Sequence, residues 1–432
     1  MGLLVSPRRA DRLRWVDDSS RDVVAFRRLQ ECSVRGRRVL VREDLNVPLV
    51  LRPFDKLRAG QAQDDRGTRI ADYSRVDAAL PTLRWLHDHG AKTIVLSHLG
   101  RPDGKPDPKL SLRPVARALS DRLGLPVGFA GDCVGEVAES AVAQLRDGDV
   151  LLLENVRFHP GEERNDPSFA QQLAKLGDLY VNDAFATAHR AHASTEGIAH
   201  LLPNAAGLLM QAELSALSRL TDHPAKPFVC AVGGAKIKDK IGMLERLSEL
   251  VDAFCIGGGM ANTLLAARGV NVGTSLRDDD LEPARRILAA IEERRVDLHL
   301  PADAVVAPSV EAQDQAHVVP IEAVGEEMIL DIGPASAQSY ANAIEAAKTI
   351  VFNGPMGVYE LPAYRRGTQV VGDAIARATE TGATSVVGGG DAAAAAHLLG
   401  FASKMTYVST GGGATLEFLE GKRLPGVAAL ER

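Results

Sequence analysis

Short apolar runs alternate along the chain with longer segments whose apolar residues recur at helical spacing. At residues 78–100, for example, "AALPTLRWLHDHG" has helical spacing and the following "KTIVLSHLG" contains a continuous apolar run, with Gly90 as the predicted helix end. Strands that alternate with helices in this way predict parallel sheets with helices on their faces. The predicted fold is therefore α/β, with two doubly wound, Rossmann-like parallel sheets, each in a three-layer α/β/α arrangement.

The residues that follow the predicted strands differ between the two halves of the chain. In the first half they are cationic or polar, as in "RRVLVREDLNVP", "TIVLSHLGRP" and "VLLLENVRFH". In the second half they are glycines, as in "FVCAVGGAKIKDK", "AFCIGGGMANTLL" and "TSVVGGGDAAAAA". Ligands of parallel sheets bind beyond the carboxyl ends of the strands. The pattern thus predicts two domains, one with a cationic cup and one with a glycine-lined cradle.

A long helix predicted over Leu208–Leu220 separates these halves, because Pro203 precedes it and Pro224 and Pro227 follow it. We place the N-terminal domain at residues 1–205 and the C-terminal domain at residues 206–408. Residues 1–30 are expected to be a solvated extension, since they are rich in arginine and lack the continuous apolar centre of a secretory signal.

The composition of the chain argues against several classes of partner and of binding site. The chain has 432 residues, 45% of them hydrophobic, and a net charge of −6, so nothing indicates a nucleic-acid or membrane partner. Its four cysteines lie far apart without a CxxC pair, which predicts free thiols in a reducing compartment and neither a disulfide framework nor a zinc site. No apolar run reaches the roughly 18 residues of a membrane span. The expected location is the cytoplasm.

The cations predict a binding site for a small, multiply anionic molecule, because arginine pairs with phosphate and carboxylate through its planar fork. The repeated glycines predict close approach of a nucleotide phosphate chain to the backbone. Lys236 and Lys240 are spaced i and i+4, so a helix that starts there would carry both ammonium groups on one face.

Asp391 follows three glycines and begins an alanine-rich segment. An aspartate there can cap the helix. It can also bind the Mg²⁺ that accompanies nucleotide phosphates, which takes one or two carboxylates. We favour the metal interpretation. The degenerate GxGxxA at Gly388, Gly390 and Ala393 lacks the ribose-binding acid of a dinucleotide fingerprint, which disfavours a nicotinamide-dependent dehydrogenase.

Nine motifs follow one another along the chain: "VREDLNVP", "SHLGRP", "LLENVRFH", "NDAFATAHRAH", "GGAKIKDKI", "IGGGMANT", "FNGPMGVYE", "VGGGDA" and "STGGGATLEFLEGKRLPGV". In these motifs and their order, the chain resembles phosphoglycerate kinase from about Val34 to the C-terminus. The resemblance implies reversible transfer of the acyl phosphate of 1,3-bisphosphoglycerate to ADP with Mg²⁺, giving 3-phosphoglycerate and ATP. It also implies a monomer, and that residues 409–432 form a hinge and return to the N-terminal domain.

The resemblance assigns roles by position. The glycerate ligand is assigned to Asp44, Leu45, Asn46, Arg75, His98, Leu99, Gly100, Arg101, Arg157 and Arg190. The nucleotide is assigned to Lys236, Lys240, Gly258, Gly259, Asn353, Glu360, Gly389, Gly390, Asp391 and Ala392, with Asp391 as the Mg²⁺ ligand. Transfer itself is assigned to Arg75, Lys236, Gly412 and Gly413. Arg75 and Lys236 lie in different domains, so we expect direct in-line transfer when the hinge closes.

Three features depart from the family pattern. Residues 50–69 insert a segment where the family usually has a short turn, and we expect a loop that projects from the domain. Ala392 stands where a hydroxyl residue is usual, and Ala186 where glycine is common. These departures leave open a non-catalytic nucleotide-binding relative as an alternative.

Overall fold

The computed structural model describes residues 26–51 and 68–431. The strands are β1 (Arg38–Arg42), β2 (Leu49–Leu51), β3 (Thr68–Ile70), β4 (Lys92–Leu96), β5 (Val127–Ala130), β6 (Val150–Leu153), β7 (Leu179–Asn182), β8 (Asn204–Ala206), β9 (Phe228–Val232), β10 (Ala253–Ile256), β11 (Asp297–His299), β12 (Asp303–Ala307), β13 (His317–Pro320), β14 (Met328–Ile332), β15 (Thr349–Asn353), β16 (Thr384–Val387) and β17 (Tyr407–Val408).

The helices are α1 (Ser74–Asp88), α2 (Arg113–Leu123), α3 (Gly135–Ala143), α4 (Pro167–Ala174), α5 (Leu208–Thr221), α6 (Ile241–Leu247), α7 (Gly258–Ala267), α8 (Glu282–Glu293), α9 (Pro334–Glu345), α10 (Arg366–Glu380), α11 (Gly390–Leu398), α12 (Gly413–Leu419) and α13 (Pro425–Ala428). Two 3₁₀ turns near the candidate site span Val156–Phe158 and Phe185–Thr187.

The first half of the chain forms a parallel sheet in the order β5-β6-β4-β1-β7-β8. Its strands are continuous apolar runs because helices cover both faces. Val95 packs with residues of α1 and α2 on one face, and Ile94 packs with residues of α3 and α4 on the other. The ends of β1, β4 and β7 lie side by side, with Arg42 paired to Leu96 and Asn182.

The second half forms a parallel sheet in the order β11-β10-β9-β15-β16-β17. Cys230 of β9 packs toward α6, α7 and α8, and its neighbour Val229 packs toward α9 and α10. A smaller antiparallel sheet in the order β13-β12-β14 adjoins it. The predicted α/β fold with two helix-flanked parallel sheets is confirmed.

Helix α5 contacts both halves, and it occupies the segment where a long helix was predicted. At its start the N–H of Met210 donates to Oδ1 of Asp183, at 3.0 Å. One turn further, the buried carboxylate of Glu213 accepts the Ser409 hydroxyl (2.7 Å) and the Thr410 N–H (2.7 Å). This helix therefore links the first sheet to the segment that follows β17.

The last residues of the chain lie against the first sheet. The N–H of Gly426 donates to the carbonyl of Ala188 (2.8 Å), and Nδ2 of Asn182 donates to the carbonyl of Gly426 (3.3 Å). Phe26 forms an antiparallel bridge with Glu431. The chain thus connects the two sheets a second time after α12.

Two predicted features fall largely outside the described residues. Of the expected extension over residues 1–30, residues 1–25 lie outside; within the remainder, Leu29 is buried and Arg28 bridges Ala206. Of the expected insertion over residues 50–69, residues 52–67 lie outside, and its two ends pair as the antiparallel strands β2 and β3. The domain boundaries remain predictions. Among the described helices, none has both the length and the apolar character of a membrane span.

Candidate active site

The predicted cationic cup lies where β1, β4, β6 and β7 end. His98 follows β4 and is 3% exposed. Burial lowers the pKa of His98 well below its usual range, and the positive charges nearby lower it further; they belong to Arg42, Arg157, Arg75 and Arg190. The fold has therefore brought guanidinium groups from separate segments around one imidazole.

Asp44 is a carboxylate close to this histidine. It forms an ion pair with Arg75, which stands in the first turn of α1. Its Oδ1 lies 4.0 Å from Nδ1 of His98. Arg157 is 4% exposed, and its Nε lies 3.1 Å from Oε1 of Glu163. Carboxylates thus partly neutralise two of the arginines in this structure.

The loop at Gly100 is held between two of the predicted site residues. Its N–H donates to Oδ1 of Asn46 at 2.9 Å, and its carbonyl accepts Nη1 of Arg157 at 2.8 Å. Glycine is required here because φ is +63° and a Cβ would lie 2.7 Å from the side chain of Leu110.

The other predicted glycerate residues differ in their exposure. Leu45 and Leu99 are buried apolar side chains that pack in the core beneath the cup, so only their backbone can face a ligand. Arg101 is exposed, and Arg190 is half-buried. Nε of Arg190 donates to Nε2 of His189 at 3.1 Å.

Sequence reasoning missed a buried network beneath the cup, centred on Arg42. The Arg42 side chain is 1% exposed; its Nε donates to Oγ of Ser194 (2.8 Å) and its Nη2 to Nδ1 of His98 (3.1 Å). Ser194 in turn donates through N and Oγ to the fully buried Glu162, at 2.9 and 2.6 Å. The sequence does contain a signal for this network, because Arg42 is a charged residue at the end of the buried strand β1.

In the second half, Lys240 is a half-buried cation at the carboxyl end of the sheet. Its Nζ donates to the carbonyls of Gly233 (2.6 Å) and Asn353 (2.5 Å), and burial lowers its pKa to about 8. The prediction that Lys236 and Lys240 share a helix face is wrong, because α6 begins only at Ile241. Lys236 lies in the preceding turn and is exposed.

The glycines that follow the strands fall into two groups. At Gly233 and Gly259 an added Cβ would lie 1.9 and 2.3 Å from backbone oxygens, so these glycines allow close packing of turns. The N–H of Gly258 already donates to the carbonyl of Met356 at 2.9 Å. At Gly390 and Gly412, by contrast, a Cβ would meet open space. The backbone of this second group is open to the approach of a ligand.

Asp391 stands exposed in the first turn of α11. The N-cap is Gly389, with φ of +95°, and no side chain caps the helix, so the capping interpretation of Asp391 is not observed. Nδ2 of Asn353 donates to the carbonyl of Gly388 (2.8 Å), whereas its buried Oδ1 has no partner among the described residues. Glu360 is exposed, and Ala392 is buried in the apolar cluster beneath α11.

Helix α12 brings the two regions together. Gly411 packs on the ring of Phe185, which belongs to the 3₁₀ turn after β7. A Cβ on Gly413, the first residue of α12, would lie 3.8 Å from Nε2 of His189. The N-terminus of α12 therefore lies next to the segment that carries Arg190.

Comparison with known proteins identifies the family to which this site belongs. A family model described as phosphoglycerate kinase matches residues 29–422. The chain belongs to the phosphoglycerate kinase family. It is 50% identical over 409 residues to the phosphoglycerate kinase of Pelotomaculum thermopropionicum, covering 94% of this chain and 99% of that relative. It is 52% identical over 410 residues to the phosphoglycerate kinase of Azorhizobium caulinodans, covering 94% and 99%.

Solved phosphoglycerate kinases have the same fold. The enzyme from Coxiella burnetii is 41% identical and superposes with a TM-score of 0.82, over 94% of this chain and 99% of that structure. The enzyme from Pyrococcus horikoshii OT3 is 31% identical with a TM-score of 0.78, over 94% and 98%. Phosphoglycerate kinases are ATP:3-phosphoglycerate phosphotransferases of glycolysis, and neither a dehydrogenase nor a non-catalytic relative is favoured.

Proposed function

We propose that the chain transfers the acyl phosphate of 1,3-bisphosphoglycerate to ADP, reversibly, giving 3-phosphoglycerate and ATP. The observation that supports this most is the arrangement of charge around His98. Several guanidinium groups surround a buried imidazole at the end of one sheet, and the N-terminus of α12 approaches them from the other. Phosphoryl transfer requires placement and stabilisation of charge on the moving group, with little covalent work for the protein.

The cup binds the glycerate ligand in this proposal. Its residues are Asp44, Leu45, Asn46, Arg75, His98, Leu99, Gly100, Arg101, Arg157 and Arg190. Arg75 exchanges its ion pair with Asp44 for an anionic group of the ligand, since a guanidinium pairs equally well with phosphate. Leu45 and Leu99 contribute through their backbone, because their side chains lie in the core.

The cradle binds the nucleotide through Lys240, Asn353, Glu360 and the turn that contains Gly389, Gly390 and Asp391. The residues fit Mg²⁺ bound with the nucleotide, because the carboxylate of Asp391 is exposed and caps no helix. When bound, Mg²⁺ neutralises charge on the phosphate oxygens. Oδ1 of Asn353 has no hydrogen-bond partner among the described residues, so it can accept a hydrogen bond from the nucleotide or its hydration shell.

Transfer is direct and in line once the two halves close on both substrates. Arg75 and Lys236 then stabilise charge on the moving phosphoryl group from opposite sides, and Gly412 and Gly413 direct the N–H groups of α12 toward it. Closure also excludes water, which would hydrolyse the acyl phosphate. No phosphoenzyme forms. The protein acts as a monomer in the cytoplasm on small molecules alone.

An assay of 3-phosphoglycerate-dependent ADP formation from Mg-ATP tests this proposal. Wild type should turn over, and Arg75→Ala and Lys236→Ala should each lower kcat by at least about two orders of magnitude. Lys238→Ala is a matched control, because Lys238 is also exposed and lies two residues away. Wild type that binds ADP without turnover would instead indicate a nucleotide-binding relative without catalysis. A phosphorylated enzyme on the turnover pathway would exclude direct transfer.

A further inference from the structure

Three side chains with metal-ligating atoms meet beside the first sheet. They are Asp132, Cys133 and His159, whose ligating atoms all lie within 4.8 Å of one another. Nε2 of His159 lies 2.7 Å from Oδ1 of Asp132. Within residues 26–51 and 68–431 this is the one such group that contains both a thiol and an imidazole.

The topology of the sheet brings these residues together. Strands β5 and β6 are parallel neighbours, with Ala130 opposite Leu153. Asp132 and Cys133 follow the end of β5, and His159 follows the 3₁₀ turn after β6. The His159 ring stacks on Phe169, with centroids 5.1 Å apart, which restricts its orientation.

Access to the cluster differs among its members. The side chains of Asp132 and His159 are 41% and 30% exposed, whereas Cys133 is fully buried. An ion that enters from solvent would therefore reach the carboxylate of Asp132 and the imidazole of His159 first. It would reach the buried sulfur of Cys133 last. Since Asp132 and His159 are partly exposed, solvent can supply a water molecule as the fourth ligand.

We propose that Asp132, Cys133 and His159 form a binding site for a divalent ion of the zinc class. Zinc takes sulfur, nitrogen and oxygen ligands in tetrahedral sites, at bond lengths of about 2.0–2.3 Å. Ligand atoms of such a site are about 3–4 Å apart. The most distant pair, which is within 4.8 Å, must close by up to about 1 Å, and the Asp132–His159 pair, at 2.7 Å, must open slightly. Mg²⁺ and Ca²⁺ prefer oxygen ligands alone, and the thiol and imidazole disfavour them.

The site is separate from the residues proposed to bind either substrate. Arg157 precedes His159 by two residues, but its guanidinium contacts Gly100 and Glu163. The metal replaces the Asp132–His159 hydrogen bond, and the thiol proton of Cys133 passes to solvent as the metal–sulfur bond forms. Because the site uses none of the transfer residues, its occupancy is measured independently of catalysis.

Cobalt titration of the reduced, metal-free full-length protein tests the proposal. One equivalent of Co²⁺ should produce a sulfur-to-cobalt charge-transfer band that Zn²⁺ abolishes by displacement. The band should disappear in Cys133→Ser and persist in Cys255→Ser, since Cys255 is an equally buried thiol in the other sheet. His159→Gln and Asp132→Asn, at half-exposed positions, should weaken Co²⁺ affinity by at least about tenfold.

Thermal unfolding with Zn²⁺ gives a second readout, because an ion that binds the native state raises Tm. Wild type and Cys255→Ser should gain stability, and the three site variants should not. Absence of the charge-transfer band in wild type, or its persistence in Cys133→Ser, overturns the proposal. If Cys133→Ser does not fold, an unchanged band and affinity in His159→Gln overturn it equally.

Discussion

Nη2 of Arg42 donates a hydrogen bond to Nδ1 of His98, at 3.1 Å, between two buried side chains. A guanidinium has no acceptor atom, so Nδ1 is the acceptor and the ring proton of His98 resides on Nε2. Burial, reinforced by the nearby arginines, holds the pKa of His98 well below its usual range. His98 is therefore a neutral donor with a fixed tautomer.

Variants of His98 should separate the donor role from a charge role. His98→Ala should raise the KM for 3-phosphoglycerate by about tenfold or more, because one hydrogen bond to an anion is lost. His98→Gln should raise this KM by less, since the glutamine amide can still donate a hydrogen bond. Steady-state kinetics at several pH values measure both. A group whose pKa is lowered is neutral across neutral pH, so an acid limb near pH 6.5 that vanishes in His98→Gln would contradict this assignment.

Asp183 should make stability depend on pH. Burial raises its pKa to about 6, and the neighbouring buried Glu43 also has a raised pKa. The folded state thus binds the proton more tightly than the unfolded state, and the stability contributed by protonated Asp183 falls as pH rises from about 4 to 6.

Asp183→Asn keeps an acceptor for the Met210 N–H and removes the titration. The free energy of unfolding of wild type should fall relative to this variant by up to about 3 kcal/mol between pH 4 and pH 7. Urea unfolding of both proteins across this range measures the difference. A difference that is constant with pH would exclude Asp183 as the titrating group.

Lys240 should make nucleotide affinity depend on pH in the alkaline range. Its pKa is lowered to about 8, so the free protein loses this positive charge as pH rises through that value. ADP affinity should then fall by about tenfold per pH unit above it, because binding must recover the proton. Calorimetric titration with ADP measures this trend. Lys240→Gln should bind weakly with no such dependence, and an equal slope in both proteins would contradict the prediction.

Two glycine substitutions should separate ADP binding from stability. Gly390→Ala places its Cβ in open space at a non-strained φ, so the free energy of unfolding should change by less than about 1 kcal/mol while ADP affinity falls. Gly259→Ala places its Cβ 2.3 Å from the carbonyl oxygen of Ala235, and should destabilise by about 1–3 kcal/mol or more. Chemical denaturation and ADP titration of both variants compare them. Full ADP affinity in Gly390→Ala would remove this turn from the phosphate site.

The sequence predicts the fold well because its signals are local. Apolar runs of strand length and helical spacing alternate from "RRVLV" onward, and Gly90 lies just beyond the end of α1. The boundaries of α5 agree within one residue with those expected between its flanking prolines.

The site was only partly predictable because some contacts join distant segments. Lys236 and Lys240 are spaced for one helix face, but the N–H of Ile237 donates to Asp278, at 2.8 Å, in a turn that precedes α6. The packing role of Gly259 likewise depends on a turn 24 residues earlier, at Ala235. The cysteine pattern also gave no sign of the cluster at Cys133, because its partner His159 lies on the next strand connection.

The bridge between Phe26 and Glu431 has a consequence for synthesis on the ribosome. The first sheet reaches its full set of contacts only when Gly426 bonds to Ala188, and Gly426 is translated after the whole second sheet. The contacts of the first half at Phe26, Asn182 and Ala188 therefore form only after the second half has been translated. The proximity of Phe26 and Glu431 also means that a short peptide can join these two points, so a circularly permuted gene opened at a surface loop should still encode this fold.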